Sequence, residues 1–407
     1  MRLSTNTIYD LGVAAINDQQ SALVKTQQQI STGKRVLTPA DDPIAAAQAL
    51  DVSQVESANQ QYTANRNTVK NVLGLADNAL QGVQNTLQSI NSLMVEAGNA
   101  SLDDSQRSYI ATALQGNLQD LIGLANSTNG AGGYLFSGSQ VNVQPYAKNA
   151  GGTVAYSGDQ NVRQVQASPS QLIAVSASGS DIFDRIKTGN GVFVTSAGAA
   201  NTGTGIVTTG NVTDPTALTG HDYSVTFSVS PSGTTYSVVD NTTPNGALPT
   251  NVPYTSGNAI SFDGMQFQIS GSPADQDTFA VGPSSNQSIF QTLQNAISLL
   301  QTSTAGPSGT GNTKLTNGLS GAGQAIANAL DNVLQVRAQF GSSLKRVDNL
   351  DAIGQNQTLT DKTTLSNLQD VDYAQATSDY ARQQVALQAA QKTFVNTEGL
   401  SLFNYIQ

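Results

Sequence analysis

The organisation of this chain follows from residues 9–43, which read YDLGVAAINDQQSALVKTQQQISTGKRVLTPADDP. Four residues recur there at seven-residue intervals: Tyr9, Ile16, Leu23 and Ile30. This interval places them along one face of an α-helix. Gly33 is expected to end that helix, because glycine readily takes the left-handed conformation found after helix ends. A second helix then begins at Pro43, with Asp42 as its cap.

The C-terminal end of the chain predicts a matching helix. Residues there alternate at intervals of three and four, which is typical of a coiled-coil seam: Tyr373, Ala376, Tyr380, Gln383, Leu387, Ala390 and Phe394. Each terminal helix carries only one narrow apolar stripe, and such a helix needs a partner to bury it. The simplest partner for the first helix is the last, so we predict that the two ends of the chain pair.

Helical patterns also occupy the regions next to the ends. Apolar positions alternate by four and three from Val69 to Ala97 and again from Leu315 to Phe340. A shorter helix is expected over residues 104–127, and another from Asn286 to the Gly-Pro break at 306–307. Residues 354–360 are expected to interrupt the last long helix, as the Gly33–Pro43 turn interrupts the first.

The central region has a different period. Between residues 134 and 282, short alternating or β-branched runs are separated by Gly, Pro, Asn and Asp, which indicates antiparallel strands. These runs are Thr153–Tyr156, Ser224–Val229, Thr235–Val239 and Met265–Ile269.

The predicted fold is mainly α with an inserted β domain. Both chain ends form a long helical coiled-coil bundle, and an antiparallel β outer domain is added to it. The predicted domains are a terminal coiled-coil assembly domain (1–42 with 365–407), a helical trunk with small β elements (43–185 with 283–364) and the outer β domain (186–282).

Three stretches resemble a known family. Residues 28–50, QQISTGKRVLTPADDPIAAAQAL, resemble the N-terminal signature of the flagellin superfamily, in which a helix, a Gly-Lys-Arg turn and an Asp-Asp pair precede a long second helix. Residues 401–407, SLFNYIQ, are similar to the tail of hook-associated proteins in that superfamily, which usually have aspartate at the place of Asn404. Residues 133–138, GYLFSG, also resemble those proteins. The resemblance covers both ends, and the middle third carries no such motif.

The resemblance implies a structural subunit of the bacterial flagellum that joins the hook to the flagellin filament and self-assembles through its terminal helices. The partners it implies are other copies of the chain in a homo-oligomeric ring, the first hook-associated protein, flagellin, and a cytosolic export chaperone that binds the C-terminal helix. It also implies an extracellular protein that leaves through the flagellar export apparatus without a cleaved signal peptide.

Two alternatives remain open at this point. An ordinary flagellin filament subunit would share the terminal signatures, but the aromatic tail disfavours it. A secreted coiled-coil adhesin would explain helices plus a β insertion, but not the paired terminal signatures.

Composition excludes several other classes. The net charge is −10, and the basic residues form no cluster beyond Lys34-Arg35 and Lys345-Arg346, so a nucleic-acid partner is not expected. There is no cysteine and only one histidine, so disulfides and thiolate metal sites are impossible and most zinc sites are excluded. No run of ~18 apolar residues predicts membrane insertion.

Local motifs predict neither catalysis nor a cofactor. Residues 306–314, GPSGTGNTK, resemble a phosphate-binding loop but lack its Lys-Ser or Lys-Thr pair, so a helix-breaking loop is expected instead. His221-Asp222 has no second histidine or nucleophile motif beside it, and a solvent-facing turn is expected. The Asp41-Asp42 and Asp370-x-Asp372 pairs lack the oxygen-rich loop of a calcium site, and Asp42 is expected to cap a helix.

The candidate functional site is an assembly interface. A pair of helices leaves much of its apolar surface exposed, and exposed apolar strips mark interfaces. We predict that the terminal pair packs against neighbouring copies, where Lys34 and Arg35 meet carboxylates of an adjacent subunit. The predicted interface residues are Tyr9, Ile16, Leu23, Ile30, Lys34, Arg35, Asp41, Asp42, Tyr373, Tyr380, Leu387, Phe394, Leu402, Phe403, Tyr405 and Ile406.

Overall fold

The computed structural model describes residues 5–243, 248–302 and 310–399. Its helices are α1 (Thr5–Thr32), α2 (Pro43–Ala97), α3 (Asp104–Ala125), α4 (Ile289–Leu300), α5 (Thr310–Gln369) and α6 (Tyr373–Gly399). Its strands are β1 (Tyr146–Lys148), β2 (Val154–Tyr156), β3 (Gln164–Ser168), β4 (Gln171–Ala174), β5 (Ile186–Lys187), β6 (Phe193–Ala197), β7 (Ile206–Val207), β8 (Asn211–Val212), β9 (Tyr223–Ser230), β10 (Gly233–Asp240), β11 (Val252–Pro253), β12 (Ala259–Phe262), β13 (Met265–Ser270), β14 (Thr278–Pro283) and β15 (Asn286–Gln287). Within the described ranges, no helix combines the length and the apolar character that crossing a membrane requires.

The chain divides into two compact units. One consists of Met1–Ala64 with Asn349–Gln407, and the other of Asn65–Asp348. We call them the terminal unit and the central unit. Helices α2 and α5 each contribute residues to both. The three domain boundaries given above stay a prediction.

The long helices of the central unit bury the side chains that the alternation predicted. On α2 the buried residues include Val69, Leu73, Leu80, Val83, Leu87, Ile90 and Met94. On α5 they include Leu315, Leu319, Ile326, Ala329, Val333, Val336 and Phe340. The two helices are joined by Arg337 of α5, whose Nε lies 2.8 Å from Oδ1 of Asp77 on α2. These two patterns therefore encode the helical part of the unit's core.

An aromatic cluster lies where helices and strands meet in the central unit. The ring of Tyr146 is centred 4.8 Å from Phe290 of α4 and 5.6 Å from Phe183, which lies in the short π-helical turn Ser180–Asp184. Phe136, from the GYLFSG motif, packs edge-on against Phe183 at 6.0 Å. The hydroxyl of Tyr146 donates to Asp184 at 2.9 Å. Burial raises the pKa of the Asp184 carboxyl, which the hydrogen bond from Tyr146 partly opposes.

The outer strands form two antiparallel sheets with one core between them. In the described part of the chain, the larger sheet has the strand order β11-β10-β9-β14-β6, and the smaller has β12-β13-β7, with β8 also paired to β13. Alternate side chains of each strand turn inward, as period-two patterning requires. The buried members include Phe193, Tyr223, Val225, Phe227, Val238, Ile260, Phe267, Ile269, Phe279 and Val281.

A two-stranded neck carries the chain into and out of these sheets. Strands β5 and β15 pair antiparallel, and beyond them Thr188 exchanges backbone and side-chain hydrogen bonds with Ser285. A row of asparagines on α5 forms hydrogen bonds with the neck and the segments next to it. Asn328 donates to the carbonyls of Lys187 and Gly189, Asn332 to those of Asp181 and Ile182, and Asn317 bonds Gly205 and Val207.

The predicted fold class is confirmed: the terminal helices pack together and a central antiparallel β domain is inserted. Three local expectations were wrong. Helix does not begin at Asn286, which instead forms β15, and α4 begins at Ile289. The break at residues 354–360 does not occur, because α5 continues to Gln369. Of the expected 306–314 loop, residues 306–309 lie outside the described residues, and the loop expectation was wrong for residues 310–314, which form the start of α5.

Candidate assembly interface

The two terminal helices pack against each other along their length. Helices α1 and α6 run antiparallel, so that Tyr9 meets Phe394 at one end, with ring centroids 5.2 Å apart. At the other end Lys34 and Asp370 form an antiparallel bridge. Pairing of the chain ends, predicted from two thin stripes, is therefore present within one molecule.

Burial along this pair is shallow. Most of the predicted stripe residues keep part of their surface: Ile16, Leu23, Ile30, Tyr380, Leu387 and Phe394 are half-buried, and Tyr9 and Tyr373 are more than half exposed. The fully buried positions are small side chains, Thr26 and Ala376. The pair thus leaves apolar surface available after the intramolecular contact has formed.

The turn after α1 is joined to the segment between α5 and α6 through the backbone. The N–H of Arg35 donates to the carbonyl of Gln369 at 2.6 Å, and the N–H of Val371 donates to that of Gly33 at 2.9 Å. Gly33 has φ +70°, the left-handed conformation predicted for the end of α1. The turn after α1 and the segment before α6 therefore lie side by side.

Asp41 organises this turn. Its Oδ2 accepts hydrogen bonds from the N–H groups of Leu37 (3.1 Å) and Thr38 (2.8 Å), and its Oδ1 lies 2.6 Å from Nζ of Lys25. The hydrogen bond from Lys25 and that from the Thr38 backbone lower the pKa of Asp41 to about 2. The carboxylate is thus held in its charged form by partners within its own chain.

Two further aspartates begin helices. Asp42 accepts from the N–H of Ala45 at 3.0 Å, which confirms it as the cap of α2, and this bond and Arg35 lower its pKa. Asp372 caps α6 in the same way, accepting from Ala374 and Gln375. Capping explains why these acidic residues lie at the turns.

The two basic residues of the turn differ in their surroundings. The guanidinium of Arg35 bonds Asp42 at 3.2 Å and the carbonyl of Leu368 at 2.9 Å, so it already has partners in its own chain. The side chain of Lys34 is exposed. Their contact with an adjacent subunit stays a prediction, and Lys34 is the better placed of the two.

Apolar residues outside the predicted stripes lie on the outer faces of the pair. Leu11 and Val24 on α1 and Val385 and Val395 on α6 are all more than half exposed. The signal was present in the sequence, because these aliphatic residues lie off the heptad seam on otherwise polar helices. Of the remaining predicted interface residues, Leu402, Phe403, Tyr405 and Ile406 lie outside the described residues.

Three family models match parts of the chain. The bacterial flagellin N-terminal helical region matches residues 3–141 and the flagellin C-terminal helical region matches 324–406. Between them, residues 196–283 match the D2-like domain of flagellar hook-associated protein 1. Flagellins themselves match less of the chain: phase 1 flagellin of Salmonella naestved is 27% identical over 153 residues, or 37% of this chain.

The relatives that match over much greater lengths are flagellar hook-associated proteins rather than flagellins. Flagellar hook-associated protein 3 of Salmonella typhimurium is 29% identical over 403 residues, covering 99% of both chains. The flagellar junction protein FlgL of Legionella pneumophila superposes with a TM-score of 0.72 at 29% identity, over 79% of this chain and all of that one. FlgL of Xanthomonas campestris is 34% identical, with a TM-score of 0.71 over 77% of this chain and 99% of its own. The chain therefore belongs to the flagellar hook-associated protein 3 (FlgL) family of structural proteins of the bacterial flagellum.

Proposed function

We propose that this chain is a non-enzymatic structural subunit that joins the flagellar hook, through the first hook-associated protein, to the flagellin filament. One observation carries the proposal. Both ends of the chain match flagellin models, whereas the outer strands match a domain of hook-associated protein 1. A subunit placed between these two proteins has to fit both, and this chain combines features of each.

The proposed mode of assembly is side-by-side packing of identical copies into a ring. Head-to-tail contacts between copies close a ring when the rotation permits it. The terminal pair supports this, since its half-buried seam and the outer residues Leu11, Val24, Val385 and Val395 leave aliphatic surface exposed. Burying such surface against a neighbour contributes roughly 25 cal/mol per Å². Lys34 adds a cation that can meet a carboxylate of the adjacent copy.

Deletion of the gene from its own bacterium tests the function. Without the junction we expect hooks without filaments and flagellin monomers in the medium, with filaments restored by the gene in trans. Filaments that persist after deletion would contradict the junction and favour a minor flagellin or an adhesin.

The route out of the cell is part of the proposal. We place the protein outside the cell, exported by the flagellar apparatus with no cleaved signal, after a cytosolic chaperone has bound residues 369–407. A helix with one thin apolar stripe suits folding on binding. Chaperone binding retained after deletion of that segment would contradict the chaperone site, and an intact mass showing N-terminal cleavage at a signal site would contradict the route.

A further inference from the structure

The first forty residues contain two glycines, and each meets an aromatic side chain of α6. A Cβ added at Gly12 would lie 2.6 Å from Cδ2 and 3.0 Å from Cε2 of Phe394. A Cβ added at Gly33 would lie 3.0 Å from the hydroxyl oxygen of Tyr373. Real Cβ atoms almost never approach a neighbour as closely as 2.6 Å, so the ring of Phe394 occupies space that only glycine leaves free.

The two glycines have the same spacing along the chain as the two aromatic residues. Gly12 and Gly33 are 21 residues apart, and so are Tyr373 and Phe394. In an antiparallel pair, equal spacing allows both glycine–aromatic contacts to form together in one register. That spacing is a whole number of heptads, so Tyr373 and Phe394 lie on the same seam of α6.

Backbone hydrogen bonds at the Gly33 turn align one end of the pair, and the rest of the seam does little to keep that register along the helices. Its members on α6 include Ala376, Gln383 and Ala390, and a heptad repeat is unchanged by a slip of seven residues. The side-chain oxygen of Gln383 is buried, and within the described residues it has no hydrogen-bond partner, so no polar pairing fixes the alignment there. A seven-residue slip would place Phe394 opposite Thr5 or Gln19, neither of which is glycine.

We propose that the two glycine–aromatic contacts, Gly12–Phe394 above all, keep the α1–α6 pair in the register that starts at the Gly33 turn. Gly12 and Phe394 are positioning residues: they determine which outer side chains of the two helices lie side by side. Their consequence for assembly rests on the proposed function, because a slipped pair would present a different surface to the neighbouring copy. The register itself is a property of the single chain and can be measured without assembly.

Pulsed electron paramagnetic resonance on the full chain tests the register. The chain has no cysteine, so Gln27→Cys with Gln391→Cys, both at exposed positions, would carry the only two spin labels. A slip of seven residues shifts one helix along the other by roughly 10 Å at ~1.5 Å per residue. We expect one distance in the parent chain. In Gly12→Val we expect that distance to be lost or joined by one displaced by about that amount.

Two variants make the outcome decisive. Ala15→Val places the same valine side chain at an exposed position of α1 and should keep the parent distance. Phe394→Ala in the Gly12→Val chain removes the ring that valine would strike, so the backbone bonds at the Gly33 turn should restore the parent distance. The proposal is overturned if the parent shows several registers, if Gly12→Val keeps the single parent distance, or if Phe394→Ala fails to restore it. None of these outcomes bears on the deletion test, so failure of the register and failure of the proposed function are distinguishable.

Discussion

The carboxylate of Asp41 accepts two backbone N–H groups and an ion pair from Lys25 within one short turn. Because its pKa is about 2 in the folded chain, below the ordinary 3.8, the carboxylate stabilises the turn above pH 3.8 and this stabilisation is lost as pH falls through about 2. We expect the Thr38 amide resonance to titrate with a midpoint near 2 in NMR spectra. Asp41→Asn should abolish the titration, and a midpoint near 3.8 would show that the Lys25 contact does not persist in solution.

Variants of Lys34 and Arg35 can distinguish a role in the turn itself, expected for Arg35, from a role in contacts with a neighbouring copy, expected for Lys34. Arg35→Glu removes contacts with Asp42 and Leu368 and should disturb the turn itself. Lys34→Glu changes an exposed side chain, so we expect the monomer to keep its helical circular dichroism while incorporation into flagella falls. Lys362→Glu, an exposed lysine on α5, is the matched control. Unchanged assembly of the Lys34→Glu, Arg35→Glu double variant would contradict the proposed contact with a neighbouring carboxylate.

Residue-scale prediction from sequence succeeded where the interaction is local. The Asp-Pro pair at 42–43 predicted a helix cap, and Gly33 predicted a helix end. Capping and helix termination both depend on neighbours within a few residues. The partners of Arg35 could not be read in this way. Its contact with Leu368 joins residues more than three hundred positions apart, and only the fold brings them together.

At the scale of elements, α5 uses one face for asparagines and another for the helical core. Asn328 donates to the carbonyls of Lys187 (2.6 Å) and Gly189 (2.9 Å) at the neck. Asn328→Ala leaves those carbonyls without this donor, and we expect it to lower the free energy of unfolding by about 1–3 kcal/mol in urea titration. Amides near residues 186–189 should also exchange hydrogen faster.

The matched control for this prediction is Asn312→Ala, an exposed asparagine on the same helix. Its effect should stay within about 0.5 kcal/mol. Equal effects of the two substitutions would show that the asparagine row does not fasten the neck.

The outer faces of the terminal helices carry the next prediction. Val24→Asp with Val385→Asp places charge on exposed aliphatic positions of α1 and α6, so the fold should be kept and assembly lost. Incorporation into flagella, followed by electron microscopy and immunolabelling of filaments, measures this. Gln20→Asp with Gln388→Asp changes exposed polar positions on the same helices and should assemble normally. Assembly of both variants alike would exclude these faces from the interface.

Helix prediction failed at residues 354–360 for a physical reason. A glycine inside a helix costs about 1 kcal/mol relative to alanine, which favoured a break there. In the folded chain Gly354 is buried, and its carbonyl accepts from Asn59 of α2 at 2.8 Å. The same Asn59 amide also bonds Thr358. This contact between distant helices offsets the local preference, and local patterns do not contain it.

At the scale of the whole molecule, the sequence predicted which regions are helical and which are β better than it predicted how the strands pair. Heptads located the long helices because their period is repeated many times. Strand order in the outer sheets, such as β14 lying between β9 and β6, depends on pairing between distant segments. Period-two runs identified Ser224–Val229 and Met265–Ile269 as strands, but nothing in them names a partner.

The two units differ in what they bury, and this predicts how the free chain unfolds. Among the described residues, the largest fully buried side chains belong to the central unit, including Tyr146, Tyr223, Phe136 and Leu80. In the described part of the terminal unit the buried residues are mostly small or polar, such as Ala45, Ala49, Thr26 and Ala376. Since stability follows buried apolar area, the terminal unit should open at a lower free energy.

Hydrogen exchange on the unassembled chain measures this difference. We expect amides of α1 and α6 to exchange well before those of α2 between Leu73 and Met94, and thermal unfolding to show an early loss of helix followed by a main transition. On assembly, a neighbouring copy should cover the exposed aliphatic surface, and protection of α1 and α6 should rise towards that of α2. Equal protection of all these helices in the monomer would mean that the terminal pair is stable alone, and that its shallow seam does not depend on neighbours.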